Sequence, residues 1–125
     1  MAKILIVEDE KVLNEAYELI LKKEGHKVCV AFDGAKALEM FAEQKPDLVL
    51  LDLRMPKMSG VEFLQKANPS KNFPKTKIII FSNYDDQKEI DAAFEHGASR
   101  YILKAWSSPK ELVKVVRETL ASSDK

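Results

Sequence analysis

Leu48-Val49-Leu50-Leu51 is an unbroken apolar run that ends at a carboxylate, Asp52. A short run without polar alternation is typical of a β-strand that is covered on both faces, as in a parallel sheet between two layers of helices. A carboxylate that follows such a strand is costly to bury unless another group compensates its charge. This stretch therefore predicts an α/β fold with a chemically important strand end at Asp52.

Four further apolar segments predict strands, and stretches of helical spacing follow each one. These segments are Ile4–Val7, Val28–Phe32, Ile78–Phe81 and Tyr101–Leu103. The segment at 28–32 alternates more loosely than the others, which predicts a place nearer the edge of the sheet. Strand–helix alternation repeated five times predicts a doubly wound parallel sheet with five helices on its two faces.

Capping residues and apolar spacing predict where the five helices begin, end and face the core. The predicted limits are Asp9 to Gly25, Asp33 to Pro46, Ser59 to Leu64, Asp85 or Asp86 to Gly97, and Ser108 onward. The predicted inward residues are Val12, Leu13, Ala16, Leu19 and Ile20; Ala37, Leu38 and Phe41; Ile90, Ala93 and Phe94; and Leu112, Val113, Val116 and Leu120. Residues 68–75 are predicted to form a surface loop, and residues 122–125 a frayed tail.

The composition indicates a single domain, spanning 1–125, with a balanced surface. Of the 125 residues 46% are hydrophobic and 32% charged, with 20 Lys plus Arg against 20 Asp plus Glu. This balance argues against a nucleic acid or a membrane surface held by bulk charge. No apolar run approaches the roughly 20 residues that span a bilayer, no signal-peptide pattern opens the chain, and Cys29 has no second cysteine to pair with. We therefore expect a cytoplasmic protein.

Polar residues follow the apolar runs at the carboxyl ends of the strands, where open parallel sheets bind ligands. They are Glu8, Asp9, Glu10, Asp52, Ser82, Asn83 and Lys104. Clustered carboxylates repel one another, and a divalent cation such as Mg²⁺ (or Mn²⁺) removes that conflict. Lys104 supplies a positive charge for a phosphate oxygen, and Ser82 supplies a hydrogen-bond donor. The set predicts a metal-assisted phosphoryl site with Asp52 as a carboxylate nucleophile.

Taken singly, most of these residues have ordinary structural explanations. Asp9 alone would be a helix cap, and Ser82 alone would be a turn residue. Asp52 is harder to explain in this way because of the buried run that precedes it. We assign no chemistry to Cys29, His26 or His96.

Four stretches, each at a strand end, resemble the receiver domain of bacterial two-component response regulators in its stand-alone, chemotaxis-regulator-like form. They are residues 4–10 (ILIVEDE), 50–60 (LLDLRMPKMSG), 78–82 (IIIFS) and 101–104 (YILK). The resemblance covers essentially the whole chain and implies a flavodoxin-like sheet in the order 2-1-3-4-5. It implies a switch that a histidine kinase or phosphotransfer protein phosphorylates and that signals by binding a downstream target protein, without direct contact to nucleic acid.

The resemblance also implies a role for each matching residue at the metal site. Asp52 matches the phosphorylated aspartate, which also binds the metal. Asp9 matches a direct Mg²⁺ ligand and Glu8 a ligand that acts through water. The backbone carbonyl of Arg54 matches the remaining protein ligand.

A second group of matching residues implies a conformational switch. Ser82 matches the switch hydroxyl, Lys104 the phosphate-binding lysine and Tyr101 the aromatic residue that moves inward on activation. Ala105 follows Lys104 where the family usually has proline, and we expect a trans peptide bond because a cis bond without proline costs about 3–4 kcal/mol. Asn83 follows Ser82 where the family usually has a smaller residue.

Two other functions stay open at this point. Ala105 and Asn83 favour a receiver-like interaction module that is not phosphorylated. A phosphatase of the haloacid-dehalogenase kind would need an acid two residues after Asp52, where Arg54 stands. We therefore expect a phosphoacceptor with self-catalysed phosphorylation and dephosphorylation, not an enzyme. Arg54, Asn83 and Tyr84 are expected to tune the lifetime of its phosphoryl group.

Overall fold

Five parallel strands form one sheet in the order β2-β1-β3-β4-β5, which is the order that the family resemblance implies. The computed structural model describes residues 2–53, 55, 57–82, 86–103 and 108–121, apart from the side chain of Ser70. The strands are β1 (Lys3–Val7), β2 (Lys27–Ala31), β3 (Leu48–Leu51), β4 (Lys77–Ser82) and β5 (Arg100–Leu103). β2 lies at one edge, which agrees with its looser alternation.

Helices follow the strands at the predicted places. They are α1 (Lys11–Lys23), α2 (Gly34–Gln44), α3 (Gly60–Ala67), α4 (Pro69–Asn72), α5 (Gln87–Glu95) and α6 (Pro109–Ala121). Asp33 caps α2 by accepting a hydrogen bond from the N–H of Lys36, and Ser59 forms the predicted capping box with Glu62. Gly25 has φ +93° just after α1 ends, a conformation that glycine adopts without steric cost.

The sheet separates two apolar layers. One face of the sheet packs against α2, α3 and α5, and its buried side chains include Phe41, Phe63 and Ala93. The opposite face packs against α1 and α6 through Leu21 and Val116. Because both faces are covered, β3 is buried along its whole length, as its continuous apolar run predicts.

The inward face predicted for α1 is wrong for three of its five residues, whereas Ile20 packs against the core as predicted and Leu13 is half-buried. Val12 is 79% exposed and Leu19 is 63% exposed, and Ala16 is exposed as well. The buried stripe contains instead Asn14, which is buried, and Tyr17, whose ring packs edge-on against Phe81 at 5.0 Å. The helix is turned in this way because the Asn14 amide reaches backbone carbonyl groups at the ends of β1 and β2.

Three smaller predictions about the helices also need correction. Phe94 is 43% exposed, because α5 turns its small neighbour Ala93 onto the sheet. In α6, Val115 is buried where Val113 was expected. The predicted loop at 68–75 contains the one-turn helix α4, in which Pro69 occupies the first turn. Within the described residues, no helix is long and apolar enough to cross a membrane.

Candidate functional site

The ends of β1 and β3 lie side by side at one edge of the sheet. Val7 pairs with Leu51, and the N–H of Asp52 donates to the carbonyl oxygen of Val7 at 3.0 Å. The residue that follows Val7 is Glu8, so two carboxylates emerge from neighbouring strands at the same level. This placement follows from the strand order, since β1 and β3 are neighbours although α1, β2 and α2 separate them in the chain.

Three carboxylates meet at this edge. Glu8, Asp9 and Asp52 each offer an oxygen, and these three oxygens lie within 4.8 Å of one another. Glu8 is 2% exposed and Asp52 is 7% exposed, so water screens their repulsion poorly. The structure therefore brings together Asp9 and Asp52, as a shared cation requires.

The donor set fits a hard divalent cation. Mg²⁺ prefers carboxylate, carbonyl and water oxygens at about 2.0–2.1 Å, and it keeps several waters when the protein supplies few ligands. Three carboxylates on a partly open edge offer ligands of this kind, and a cation between them offsets their mutual repulsion. Among the residues that the structure describes, the cluster contains no histidine nitrogen and no cysteine sulfur, which argues against a site built for zinc.

Hydrogen bonds from backbone N–H groups hold in place the acidic turn, which is formed by Glu8, Asp9 and Glu10. The Glu10 N–H donates to Oε2 of Glu8 at 3.1 Å, and the Glu8 N–H donates to the carbonyl oxygen of Ala31 at 3.1 Å. Asp9, between them, is half-buried. The first helical turn of α1 follows at once, so the acidic turn is anchored to both β2 and α1.

Ser82 and Tyr101 lie on the neighbouring part of the same edge. Ser82 is fully buried at the end of β4. Tyr101 pairs with Ile80, two residues before Ser82, and packs half-buried against the layer that contains α2, α3 and α5. Because side chains alternate along a strand, Ser82 and Tyr101 point to the same side of the sheet.

Several residues of the predicted site lie outside the described residues. They are Arg54, Asn83, Tyr84, Lys104 and Ala105, and with them the peptide bond between Lys104 and Ala105. Their roles stay predictions.

The structure adds two residues that the sequence analysis missed. A Cβ atom at Gly60 would lie 2.7 Å from the carbonyl oxygen of Asp52, so only glycine allows α3 to start this close to the acid. Asn14, fully buried, donates to the carbonyl oxygen of Glu8 at 2.9 Å. Gly60 ends the stretch 50–60 that carries the family resemblance, but its constraint is a tertiary contact that the local pattern does not show. Asn14 stands at helical spacing from Leu21, but an analysis of apolar spacing assigns its polar side chain to the surface.

The three residues with no assigned chemistry also have clear surroundings. His26 accepts a hydrogen bond from the Ala2 N–H at Nδ1, 3.1 Å away, and burial lowers the pKa of its ring. Burial raises the pKa of the Cys29 thiol. His96 follows the last residue of α5. None of the three belongs to the acidic cluster.

Comparison with known proteins places this geometry in a family. The family model described as response regulator receiver domain matches residues 4–117. A transcriptional regulatory protein of Bacillus subtilis (strain 168), YhcZ, is 39% identical over 114 residues, covering 90% of this chain and 52% of that protein. The DNA-binding response regulator MtrA of Mycolicibacterium paratuberculosis is 36% identical over 122 residues, covering 98% of this chain and 52% of that protein. The chain thus spans about half the length of these curated relatives.

Solved structures share the fold. A CheY-like receiver domain protein of Methanospirillum hungatei JF-1 superposes with a TM-score of 0.89 at 29% identity, covering 96% of this chain and 94% of that one. The BeF3-activated receiver domain of Klebsiella pneumoniae RstA superposes with a TM-score of 0.84 at 31% identity, covering 96% and 99%. Both confirm the predicted flavodoxin-like architecture.

Proposed function

Because this chain belongs to the response regulator receiver domain family, a phosphoacceptor switch of two-component signalling, we propose that Asp52 accepts the phosphoryl group. The observation that carries the proposal is the meeting of Asp52 with Glu8 and Asp9 at one sheet edge. An isolated carboxylate after a buried strand has no evident use, whereas one beside two further acids can take up a cation and a phosphoryl group together.

The three acids have different roles in binding the cation. Asp9 and Asp52 are its direct carboxylate ligands, Glu8 contacts it through water, and the backbone carbonyl of Arg54 completes the protein's share. When bound, Mg²⁺ or Mn²⁺ neutralises negative charge on the transferring phosphoryl oxygens. The burial of Glu8 and Asp52 supports this assignment, because a partly dry edge makes each electrostatic contact stronger.

Asp52 is the nucleophile of the transfer. One of its carboxylate oxygens forms a bond to phosphorus while the bond from phosphorus to the donor's nitrogen breaks. The donor is a histidine kinase or phosphotransfer protein, and Lys104 holds a phosphoryl oxygen as charge builds. Self-catalysed transfer from a small phosphate donor and slow self-catalysed hydrolysis follow from the same groups, with Arg54, Asn83 and Tyr84 tuning the lifetime.

Ser82 and Tyr101 convert the new phosphoryl group into a change of surface. The hydroxyl of Ser82 donates to a phosphoryl oxygen, and Tyr101, on the same side of the sheet, moves further inward as Ser82 shifts. The half-buried position of Tyr101 supports this step, since its ring can still gain burial. A downstream target protein in the cytoplasm then binds the altered face of α5, β5 and α6. The balanced charge of the chain favours a protein target over nucleic acid.

The test is incubation of the protein with Mg²⁺ and acetyl phosphate, followed by intact-mass measurement. The wild type is expected to gain one phosphoryl group and Asp52→Asn none. Asp91→Asn, which changes an exposed acid on α5, is the matched control and should behave as the wild type. A wild type that gains no phosphate, although folded, would favour the interaction module that is not phosphorylated.

A further inference from the structure

Asn14 is a fully buried polar residue in α1 whose amide group faces the acidic edge of the sheet. Its Nδ2 donates to the carbonyl oxygen of Glu8 at 2.9 Å and to the carbonyl oxygen of Ala31 at 3.2 Å. These two acceptors belong to different strands, because Ala31 ends β2 and Glu8 follows β1. One amide group therefore fastens two strand ends to the first turn of α1.

The same few atoms determine the path of the acidic turn. The carbonyl oxygen of Ala31 also accepts from the N–H of Glu8 at 3.1 Å, and the N–H of Asn14 donates to the carbonyl oxygen of Glu10 at 2.9 Å. Asp9 stands between Glu8 and Glu10, and the carbonyl oxygens of both neighbours accept hydrogen bonds from Asn14. Loss of the Asn14 side chain would remove this donor from the carbonyl oxygen of Glu8 and loosen the backbone that sets the direction of Asp9.

The amide oxygen of Asn14, Oδ1, reduces the stability that this residue contributes. Its Oδ1 is buried and lacks a hydrogen-bond partner within the part of the chain that the structure describes. A buried acceptor without a partner is destabilising, and an apolar residue of the same shape avoids it. The opposite orientation of the amide group would be less stable, because Oδ1 would then face the carbonyl oxygens of Glu8 and Ala31.

We propose that Asn14 is a positioning residue for the cation site. It holds the backbone of the acidic turn so that Glu8 and Asp9 meet Asp52, and it acts on the cation only through these residues. The inference rests on the proposed function in one respect, namely that this edge binds a divalent cation.

The test compares Asn14→Leu with the wild type in two measurements, Mg²⁺ affinity by calorimetric titration and the urea midpoint without metal. The Leu variant is expected to bind Mg²⁺ about tenfold more weakly, at the low end of what loss of a supporting group outside the ligand shell does to metal affinity. Its metal-free midpoint should fall moderately, because the carbonyl oxygen of Glu8 loses a buried donor while the unsatisfied Oδ1 of Asn14 disappears. The Mg²⁺ affinity is measured under conditions in which the variant is folded, so the two effects are separated. Amide exchange at Glu8 and Glu10 should accelerate locally.

Two further variants keep the test decisive. Thr119→Val removes a buried polar group from α6 on the same face of the sheet, and it should leave Mg²⁺ affinity unchanged. Asn14→Ser keeps one donor and should bind Mg²⁺ with intermediate affinity, which also provides a result if Asn14→Leu does not fold. Unchanged Mg²⁺ affinity in both Asn14 variants would overturn the inference and leave Asp52 phosphorylation standing. A wild type that binds no Mg²⁺ would overturn the inference and the proposed cation site together.

Discussion

The two ends of the parallel sheet differ in how they satisfy their charged groups. At the amino ends of the strands, the carboxylate of Asp47 accepts a hydrogen bond from the Lys3 N–H at 2.8 Å. Nearby, the hydroxyl of Thr76 donates to the carbonyl oxygen of Pro46 at 2.7 Å. At the carboxyl ends, three carboxylates lie with their oxygens within 4.8 Å of one another: Glu8, Asp9 and Asp52.

At the amino ends of the strands, which we call the paired edge, these hydrogen-bond donors meet acceptors. At the carboxyl ends, which we call the acidic edge, three groups of like charge lie together. A sequence selected only for folding would use opposite charges at both edges, because local and global preferences then agree. Among the described residues, the cluster of three acids lies at the end where parallel sheets bind ligands. If the acidic edge, formed by Glu8, Asp9 and Asp52, is the proposed cation site, substitutions at the two ends should have different consequences.

The largest difference in Mg²⁺ affinity is expected between alanine variants of two glycines. Gly60 lies at the acidic edge, and Gly25 lies near the amino ends of the strands. A Cβ at Gly60 would lie 2.7 Å from the carbonyl oxygen of Asp52 and 2.8 Å from Cα of Leu53, so the backbone that carries the acid must move. Gly60→Ala should lower the free energy of unfolding by about 1–3 kcal/mol, as overpacking does. It should also weaken Mg²⁺ binding, measured by calorimetric titration beside urea unfolding.

Gly25→Ala is the control at the opposite end. Its φ of +93° is strained for alanine, but no atom lies within 4 Å of the added Cβ. We expect a cost of about 1–2 kcal/mol from the backbone alone, with unchanged Mg²⁺ affinity. Equal Mg²⁺ affinity in the two variants would mean that Gly60 does not support the position of Asp52.

The next contrast is whether removal of one negative charge raises or lowers the free energy of unfolding. Without metal, Asp9→Asn should raise the free energy of unfolding by about 1–4 kcal/mol. Two unit charges about 4 Å apart repel by about 1 kcal/mol in bulk water and by about 4 kcal/mol near a protein surface. Asp47→Ala should lower it by about 1 kcal/mol, because it removes the acceptor for the Lys3 N–H. Urea unfolding in a chelator measures both.

Addition of Mg²⁺ should sharpen the contrast between the two variants. The wild type and Asp47→Ala gain stability from the bound ion, by about 2.7 kcal/mol at a hundred times the dissociation constant. Asp9→Asn should gain much less. If Asp9→Asn is destabilised without metal, the acidic edge is not a place of net repulsion, and the contrast drawn here between the two edges fails.

Most of the fold was predictable from the sequence because the strand signals are unambiguous. Leu48–Leu51 has no polar residue, and all four positions are buried. The face of α1 was not predictable, because Val12 and Leu19 form as regular a stripe as Tyr17 and Leu21 do. Apolar spacing cannot choose between two such stripes, and the choice here depends on Asn14, a polar residue that pattern analysis places on the surface.

The acids of the site were predictable as members of one edge, since each follows an apolar strand. That Asp9 and Asp52 lie close enough to share an ion depends on β1 and β3 being neighbours, which the family resemblance implied and apolar spacing does not give. The role of Gly60 was out of reach for a different reason. Its constraint is a contact with the Asp52 carbonyl, which exists only once α3 has packed beneath β3.

The smallest expected effect is a pH dependence of stability that arises from His26, which directly precedes β2 at the paired edge. Burial lowers the pKa of its ring, and Nδ1 accepts the Ala2 N–H at 3.1 Å, so the folded protein favours the neutral ring. An unfolded histidine titrates near pH ~6.5. Between that value and the lower folded pKa, the unfolded chain binds more protons, so His26 makes the protein less stable as pH falls and has no such effect above ~6.5.

Comparison with His26→Gln isolates this contribution, because glutamine keeps an acceptor but does not titrate. The urea midpoint of the wild type should fall relative to that of His26→Gln between about pH 7.5 and about pH 5.5, while effects of the carboxylates are common to both and cancel. A constant difference between the two proteins would show that His26 is protonated as easily in the folded chain as in the unfolded one. The amino end would then tolerate a new positive charge beside a donor, and the pairing of its donors with acceptors would not distinguish it from the acidic edge.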